Sequence, residues 1–346
     1  MTVALGGVLD MRVKNLLATV ALTALSAIGL GFSGPAQAQS PWTLIPLYTD
    51  PATGQADVPL AINDAGWMTG AFYYDAYYDQ EGFLRDPNGV YTNFDVGGDA
   101  EVRGIGLNNV VVGATYVGPG GNDVNAFSRA ADGTITWLLN PGTGLPLDGF
   151  AQGQNAKGDI VGDYLTGPDG VSGAAHGFIL NGASFTDLSF PGSSKTKARG
   201  INDNGVVVGY ETTGSVTSGF IYDHGTWTSY NYPGNGDVTV FEDINNNGLI
   251  VGQWDGLGSG GYSIHSFLYD PSTQSLQDLT PPDHGLYIQA FSVNNLDQVL
   301  VQSDNNWIFN ADAVPEPGAW TLMFSALGAV GAMARRRRLT SRSGWG

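Results

Sequence analysis

One short phrase recurs along this chain and constrains its fold more than any other feature. It reads "INDAGWMTG" from Ile62, "INDNGVVVG" from Ile201 and "INNNGLIVG" from Ile244. A recurring phrase at a fixed interval is typical of repeat proteins, in which each unit packs on its neighbours. Aligned on the Asn, the six equivalent positions, 43 to 49 residues apart, are Asn63, Gly106, Asn155, Asn202, Asn245 and Asn294.

Each unit contains four short runs of strand-forming residues, bounded by Gly, Asn, Asp or Pro. In one unit they read "TKARGIN", "VVVG", "SGFIYD" and "WTSYNY". The run "VVVG" has no polar alternation, so sheets must cover both of its faces. Four-stranded units of about 40 to 50 residues, stacked on both faces, are the blades of a β-propeller. The pairs Asn204-Gly205 and Asn247-Gly248 predict two-residue turns with positive φ at both residues.

The ends of the repeat array predict how the ring closes. The sixth unit stops at "NWIFN", Asn306–Asn310, and lacks a fourth strand. A surplus strand, "WTLIPL" from Trp42, precedes the first unit. We therefore predict an all-β fold, a six-bladed β-propeller within residues 39–310 that is closed by its N-terminal strand.

Residues 1–38 have the features of a secretory signal helix. Arg12 and Lys14 precede an apolar run, and Ala36-Gln37-Ala38 is a small-residue cleavage site. Translation could start at Met1 or at Met11. An uncleaved membrane anchor is the alternative reading of this segment.

Residues 311–346 contain three consecutive features of a sorting segment. "VPEP" begins at Val314, an uncharged apolar run covers residues 318–334, and four arginines follow. Seventeen apolar residues approach the length of a transmembrane helix, and the arginines favour a cytoplasmic end. An ordinary C-terminal anchor is the alternative. The candidate sorting residues are Pro315, Glu316, Pro317, Arg335, Arg336, Arg337 and Arg338.

This tail resembles the PEP-CTERM sorting signal of Gram-negative bacteria. The resemblance implies that an exosortase in the inner membrane recognises Pro315-Glu316-Pro317 and removes the helix and the arginines. It also implies export by the secretion machinery and signal peptidase, a final location in the envelope or outside the cell, and a link to exopolysaccharide.

The charge of the body fits an exported protein and excludes some partners. Residues 39–314 contain 7 Lys and Arg against 30 Asp and Glu. Such an acidic body repels nucleic acid and anionic lipid surfaces. The absence of Cys from the chain excludes disulfides and thiol chemistry.

The repeats themselves are similar to the HAF-type repeats of exported bacterial proteins. "HGF" at His176 and "HSF" at His265 stand where that family has His-Ala-Phe, although neither has the Ala. Because both His occupy the same repeat position, we expect a structural role, with hydrogen bonds between neighbouring blades. The resemblance implies no defined catalytic residue.

Two groups of residues are candidates for ligand binding. The tyrosines of "YYDAYYDQE" could stack on sugar rings, and acids near the first strands could bind a cation or act as acid and base at the channel mouth. Ordinary loop packing and general acidity are the alternatives. The candidates are Tyr73, Tyr74, Tyr77 and Tyr78 in the loop, and Asp57, Glu101, Asp148, Asp237 and Glu242 at the channel.

The sequence contains no nucleophile elbow, phosphate loop or metal-ligand spacing. We therefore expect no catalytic residue, no metal and no cofactor, with calcium in the channel as an open alternative. The favoured function is a non-catalytic scaffold or binding module. The alternative is a propeller hydrolase or lyase that acts on a glycan or small ester at the channel mouth.

Overall fold

The computed structural model describes residues 40–46, 48, 57–73, 80–117, 123–166, 174–233, 238–258, 261–283, 285 and 287–311. This part of the chain is almost entirely β-structure, with a single 3-10 turn at Leu107–Asn109. The strands are β1 Trp42–Ile45, β2 Asp57–Ile62, β3 Met68–Tyr73, β4 Gln80–Arg85, β5 Tyr91–Phe94, β6 Asp99–Ile105, β7 Val111–Val117, β8 Asp123–Arg129, β9 Ile135–Trp137, β10 Gly149–Gln154, β11 Ile160–Leu165, β12 Ala175–Asn181, β13 Ser184–Leu188, β14 Lys195–Ile201, β15 Val207–Thr213, β16 Val216–Asp223, β17 Thr226–Tyr230, β18 Thr239–Ile244, β19 Ile250–Gly258, β20 Gly261–Asp270, β21 Ser275–Leu279, β22 Gln289–Val293, β23 Gln298–Gln302 and β24 Asn306–Asn310.

The strands form a propeller-like arrangement of antiparallel sheets. Four sheets have four strands each: β2–β5, β6–β9, β18–β21, and β22–β24 with β1. The remaining sheet has eight strands, β10–β13 and β14–β17. The prediction of six separate four-stranded sheets is thus confirmed for four sheets only.

One backbone pairing produces the eight-stranded sheet. Ala175 of β12 pairs in parallel with Lys195 of β14. Similar single parallel bridges, Thr217 to Val238 and Ile264 to Tyr287, occur at two other junctions. Val238 and Tyr287 lie outside named strands, whereas Lys195 is the first residue of β14, so only there does the contact merge two sheets.

The N-terminal strand completes the last sheet, as the sequence predicted. Strand β1 pairs antiparallel with β24, from Trp42 opposite Phe309 to Ile45 opposite Asn306. Ile45 is buried and packs with Ile62 and Met68 of the first sheet. The same short strand therefore joins the two ends of the repeat array.

The buried second strands explain the valine runs. Val207 packs in one core cluster with Val161 and Phe220, and Val208 packs in the next with Phe241. Both valines are fully buried. Successive side chains of a strand point to opposite faces, so each second strand lies between two neighbouring sheets.

The repeated Asn joins neighbouring units at their first strands. Asn202 Oδ1 accepts the backbone amides of Asn204 and Val206, and Asn202 Nδ2 donates to the carbonyl of Asn245 in the next unit. Each side chain therefore stabilises its own turn and the adjacent unit. Equivalent donations run from Asn63 to Gly106, from Asn155 to Asn202, from Asn245 to Asn294 and from Asn294 back to Asn63.

The turn after this Asn differs from the predicted one. Gly205 and Gly248 have positive φ, but Asn204 and Asn247 do not. The amide of Gly205 donates to the carbonyl of Asn202, and the amide of Asn202 donates to the carbonyl of Val206, so the loop has three residues and begins one residue earlier than the predicted two-residue turn. The reason is the Asn202 side chain, which binds two amides of the loop and favours this longer turn.

No helix in the described ranges is long and apolar enough to span a membrane. The predicted signal helix at 1–38 and the predicted transmembrane helix at 318–334 lie outside the described residues.

Candidate functional site

The first strands of all six repeat units surround a central cavity with two adjoining chambers. We call them the arginine chamber, of about 50 Å³, and the asparagine chamber, of about 200 Å³. Ile105, Gln154 and Asp243 line both chambers, so the chambers are neighbours. The asparagine chamber is lined by the repeated Asn residues and the residues that follow them.

A β-bulge in each first strand sets the lining of the arginine chamber. The pairing register shifts once in β2, β6, β10, β14, β18 and β22. A bulge adds one residue to a strand and redirects its side chain. The bulged residues all line the chamber; they are Leu60, Arg103, Gln152, Arg199, Glu242 and Phe291.

Arg103 is neutralised within its own strand. Its guanidinium is paired with Glu101, and Tyr116 Oη donates to Glu101 Oε2 over 2.8 Å. Burial alone raises the pKa of Glu101, but Arg103 and the Tyr116 hydroxyl outweigh it and hold this pKa below its usual range. Glu101 is therefore a stable carboxylate rather than a proton donor at neutral pH.

Arg199 is the centre of a second polar network. Its Nη1 donates to Gln152 Oε1 over 3.1 Å, and Gln152 Nε2 donates to Asp163 Oδ1 over 3.0 Å. Lys197 Nζ lies 2.7 Å from Asp163 Oδ2. Burial opposes the charge of Arg199, but Glu242 and other neighbours outweigh it and raise its pKa, so it stays a cation.

Asp243, which the sequence analysis did not select, is half-buried beside this network and lines both chambers. Its Oδ2 accepts the Ser292 hydroxyl and the Val293 amide, and its Oδ1 accepts the Ile244 amide. Burial is the largest influence and raises the pKa of Asp243 to about 6 despite these three hydrogen bonds. A Cβ at Gly200 would lie 2.7 Å from Asp243 Oδ1, so the neighbouring strand needs glycine there.

The raised pKa of Asp243 predicts a pH dependence of stability. In the folded chain the pKa is about 6, against an ordinary aspartate pKa of 3.8. The carboxyl group therefore favours folding most at low pH, and this contribution falls as pH rises from about 4 to about 6, by about 3 kcal/mol at most. The unfolding free energy of wild type should fall relative to Asp243→Ser over this range, when both are measured by urea titration. Parallel pH curves for the two proteins would contradict the assignment.

The predicted channel acids occupy different surroundings. Glu242 lines the arginine chamber, and Glu101 is paired with Arg103 beside it. Asp148 is half-buried, and its carbonyl accepts the Leu165 amide. Asp237 lies outside the described residues.

Asp57 has the partners of a structural residue. Its Oδ1 accepts the Tyr48 amide over 3.0 Å, and its Oδ2 accepts the Tyr91 hydroxyl over 2.5 Å. Thr196 and Thr239 accept backbone amides in the same way at the start of their own first strands. Burial raises the pKa of Asp57, and the hydrogen bonds only partly offset it.

The repeated histidines form polar contacts within their own sheets. The hydrogen bonds between blades that were expected for them are therefore not observed. His176 Nδ1 lies 2.9 Å from Asp187 Oδ1. His265 Nε2 lies 2.8 Å from Ser263 Oγ, and its ring stacks on Trp254. The side chains of the candidate tyrosines at positions 73, 74, 77 and 78 lie outside the described residues.

No group of three His, Asp or Glu side chains in the described part of the chain is arranged to hold a metal ion. The calcium alternative stays an untested hypothesis.

A pattern in the sequence could have identified the residues that line the arginine chamber. The third residue before each repeated Asn is different in almost every unit, whereas the next residue is small in all units except at Asp243. A side chain that varies among otherwise regular repeats does not take part in the packing that all units share. It therefore marks where individual side chains can form a site.

Residues 313–338 match the PEP-CTERM protein-sorting motif. This range contains the predicted Pro315-Glu316-Pro317 and Arg335 to Arg338, which lie outside the described residues. The match implies an exported protein with an exosortase as its processing partner. No curated protein matches this chain.

Solved structures with a similar fold come from several kinds of protein. TolB from Acinetobacter baumannii has a TM-score of 0.50 at 12% identity, over 71% of this chain and 64% of that chain. A gluconolactonase from Xanthomonas campestris has a TM-score of 0.43 at 13% identity, over 77% of this chain and 97% of that chain. A six-bladed fungal lectin from Aleuria aurantia has a TM-score of 0.44 at 10% identity, over 70% and 85%. This chain thus spans less than two thirds of TolB, and that likeness shows the fold alone.

Proposed function

We propose that this chain is an exosortase-processed protein of the envelope or extracellular matrix, whose β-propeller is a non-catalytic scaffold or binding module linked to exopolysaccharide. The observation that carries the proposal is the sorting motif at residues 313–338. After cleavage at Pro315-Glu316-Pro317, the inner membrane keeps the tail and the body is released.

The proposed ring has six blades with HAF-type repeats. The eight-stranded sheet consists of two four-stranded meanders joined by one pairing, Ala175 to Lys195. Counting these meanders separately gives six units, in agreement with the six first strands that line the cavity. The Asn294 side chain, which donates to the carbonyl of Asn63, supports closure between the sixth unit and the first.

The electrostatics of the cavity favour binding over catalysis. Glu101 is neutralised by Arg103, and Asp163 is neutralised by Lys197. Asp243 accepts three hydrogen bonds from neighbouring backbone and side chain. A general acid or base must instead be able to exchange its proton with a substrate.

One observation favours the alternative, a propeller hydrolase or lyase. Asp243, with a pKa raised to about 6, adjoins Glu242 in the cavity wall. A carboxyl group with a raised pKa beside a second carboxyl group is typical of acid–base pairs. Turnover of glycan or ester substrates that disappears in Asp243→Asn would support this alternative.

The sorting proposal predicts that deletion of residues 314–346 abolishes exosortase processing and changes the location of the protein. Wild type should appear as a shortened form in the envelope or medium, because the exosortase removes the tail. The deleted chain should lack this processing step and lose envelope retention, as measured by fractionation and mass spectrometry. A matched control replaces Arg335 to Arg338 with Lys, which preserves the charge. Identical fractions for deleted and wild-type chains would overturn the proposal.

A further inference from the structure

The chain enters and leaves the propeller at neighbouring residues. Strands β1 and β24 are antiparallel, so the start of β1 lies beside the end of β24. The Asn310 amide donates to the Pro41 carbonyl over 2.8 Å. The predicted signal segment ends at residue 38, and the sorting motif begins at residue 313. Both terminal segments are therefore joined to the propeller within a few residues of this one hydrogen bond.

The linker to the apolar tail is short. Gly318, the first residue of the apolar run, comes eight residues after Asn310. An extended chain spans at most about 3.6 Å per residue, so this linker reaches at most about 29 Å. In the proposed function the tail anchors the chain in the inner membrane until the exosortase cuts it. Until then, the end of β24 stays within that distance of the lipid.

The edge of the sheet at this point is uncharged, although the body is strongly acidic. Residues 40–46 and 305–311 contain no Asp, Glu, Lys or Arg, whereas residues 39–314 contain 30 Asp and Glu. The Asp283 carboxylate accepts a hydrogen bond from the Trp307 indole over 2.8 Å, near the beginning of β24. An acidic surface is repelled by anionic lipid, so an uncharged edge is the part that can approach a membrane.

The side chains of this edge are of the kind found where proteins meet lipid headgroups. Leu44 is 49% exposed. Trp42 and Trp307 are half-buried, and their rings pack edge to face with centroids 6.4 Å apart. Tryptophan is enriched at membrane–water interfaces, because its ring is apolar and carries one polar group. The residue equivalent to Leu44 in the outer strands β13 and β21 is an aspartate, Asp187 or Asp278.

We propose that this closing edge, formed by residues 40–46 and 305–311, lies on the phospholipid surface of the inner membrane while the tail is uncut. The inference rests on the proposed sorting function and adds a surface and a partner to it. Contact of Leu44 and the two tryptophans with lipid holds the propeller in one orientation. The cleavage motif, five residues after Asn310, then stays near the membrane in which the exosortase acts. Removal of the tail leaves only this small apolar contact, which is too weak to retain an acidic body.

The test uses the absence of Cys from the chain, which allows a single label at a chosen site. Thr43→Cys carries a fluorophore on β1, and Thr186→Cys is the matched control at the equivalent exposed position of β13. The full-length chain is reconstituted in vesicles of phosphatidylethanolamine and phosphatidylglycerol that contain nitroxide-labelled lipid as a quencher. Quenching should be several times stronger at residue 43 than at residue 186. Leu44→Asp, which introduces the residue that β13 has, should lower the quenching at residue 43 to the control level.

Folding of every variant is checked by circular dichroism and thermal melting. Equal quenching at the two sites, or quenching at residue 43 that Leu44→Asp leaves unchanged, would overturn the lipid contact. Protection of residue 43 from a soluble quencher without quenching by lipid would also overturn it, and would indicate a second copy of the chain or another protein at this edge. The sorting proposal is tested separately by the tail deletion. A chain that is processed normally in cells but shows equal quenching keeps the sorting function and loses only this surface.

Discussion

Gly209→Ala is expected to destabilise the protein by about 3 kcal/mol or more. A Cβ at this position would lie 2.0 Å from the carbonyl oxygen of Lys197 and 3.0 Å from the Cα of Ala198. Both are backbone atoms of the adjacent strand, so the clash cannot be relieved by a side-chain rotation. Urea unfolding followed by circular dichroism measures the loss.

The same argument applies to the glycine that is the third residue of four other second strands. A Cβ at Gly70, Gly113, Gly162 or Gly252 would also lie within 2.5 Å of a partner carbonyl oxygen. Gly142→Ala is the matched control, because its Cβ would meet only the Asn140 side chain at 3.3 Å. A loss below about 1 kcal/mol at Gly209 would mean that the two strands separate more easily than this packing implies.

The second large effect is expected at the closing strand. Ile45→Ala should cost about 2–5 kcal/mol, because it leaves a cavity in a packed core. Ile45 is 4% exposed and contacts residues of the first sheet, so the change weakens the junction between the two ends of the array.

Leu44→Ala in the same strand is the control. Leu44 is 49% exposed, and its removal should change stability by less than about 0.5 kcal/mol. Thermal melting of the two variants side by side separates core packing from strand propensity. Equal melting temperatures for both variants would show that β1 does not hold the last sheet closed.

Periodic features of this fold could be predicted from the sequence, because every unit repeats them. The buried second strand follows from the valine run, and the pairing of β1 with β24 follows from one missing and one surplus strand. The Asn–Gly turn was predicted with the wrong geometry, since propensity rules do not include the side chain of Asn202.

The candidate site was harder to predict, because it depends on features that do not repeat. Glu242 was selected from its position near a first strand, whereas Arg199, Gln152 and Asp243 were not. A β-bulge determines which of these side chains faces the cavity, and no local sequence rule predicts at which residue of a strand the bulge occurs. The single pairing that merges two sheets likewise depends on whether Lys195 begins a strand.

The pairing of Trp42 with Phe309 also has a consequence for the time course of folding. These residues are far apart along the chain, and contacts of long sequence separation form slowly. During export, the first strand to emerge is thus the last to find its partner. Until then β24 has an unpaired edge that invites pairing with other chains.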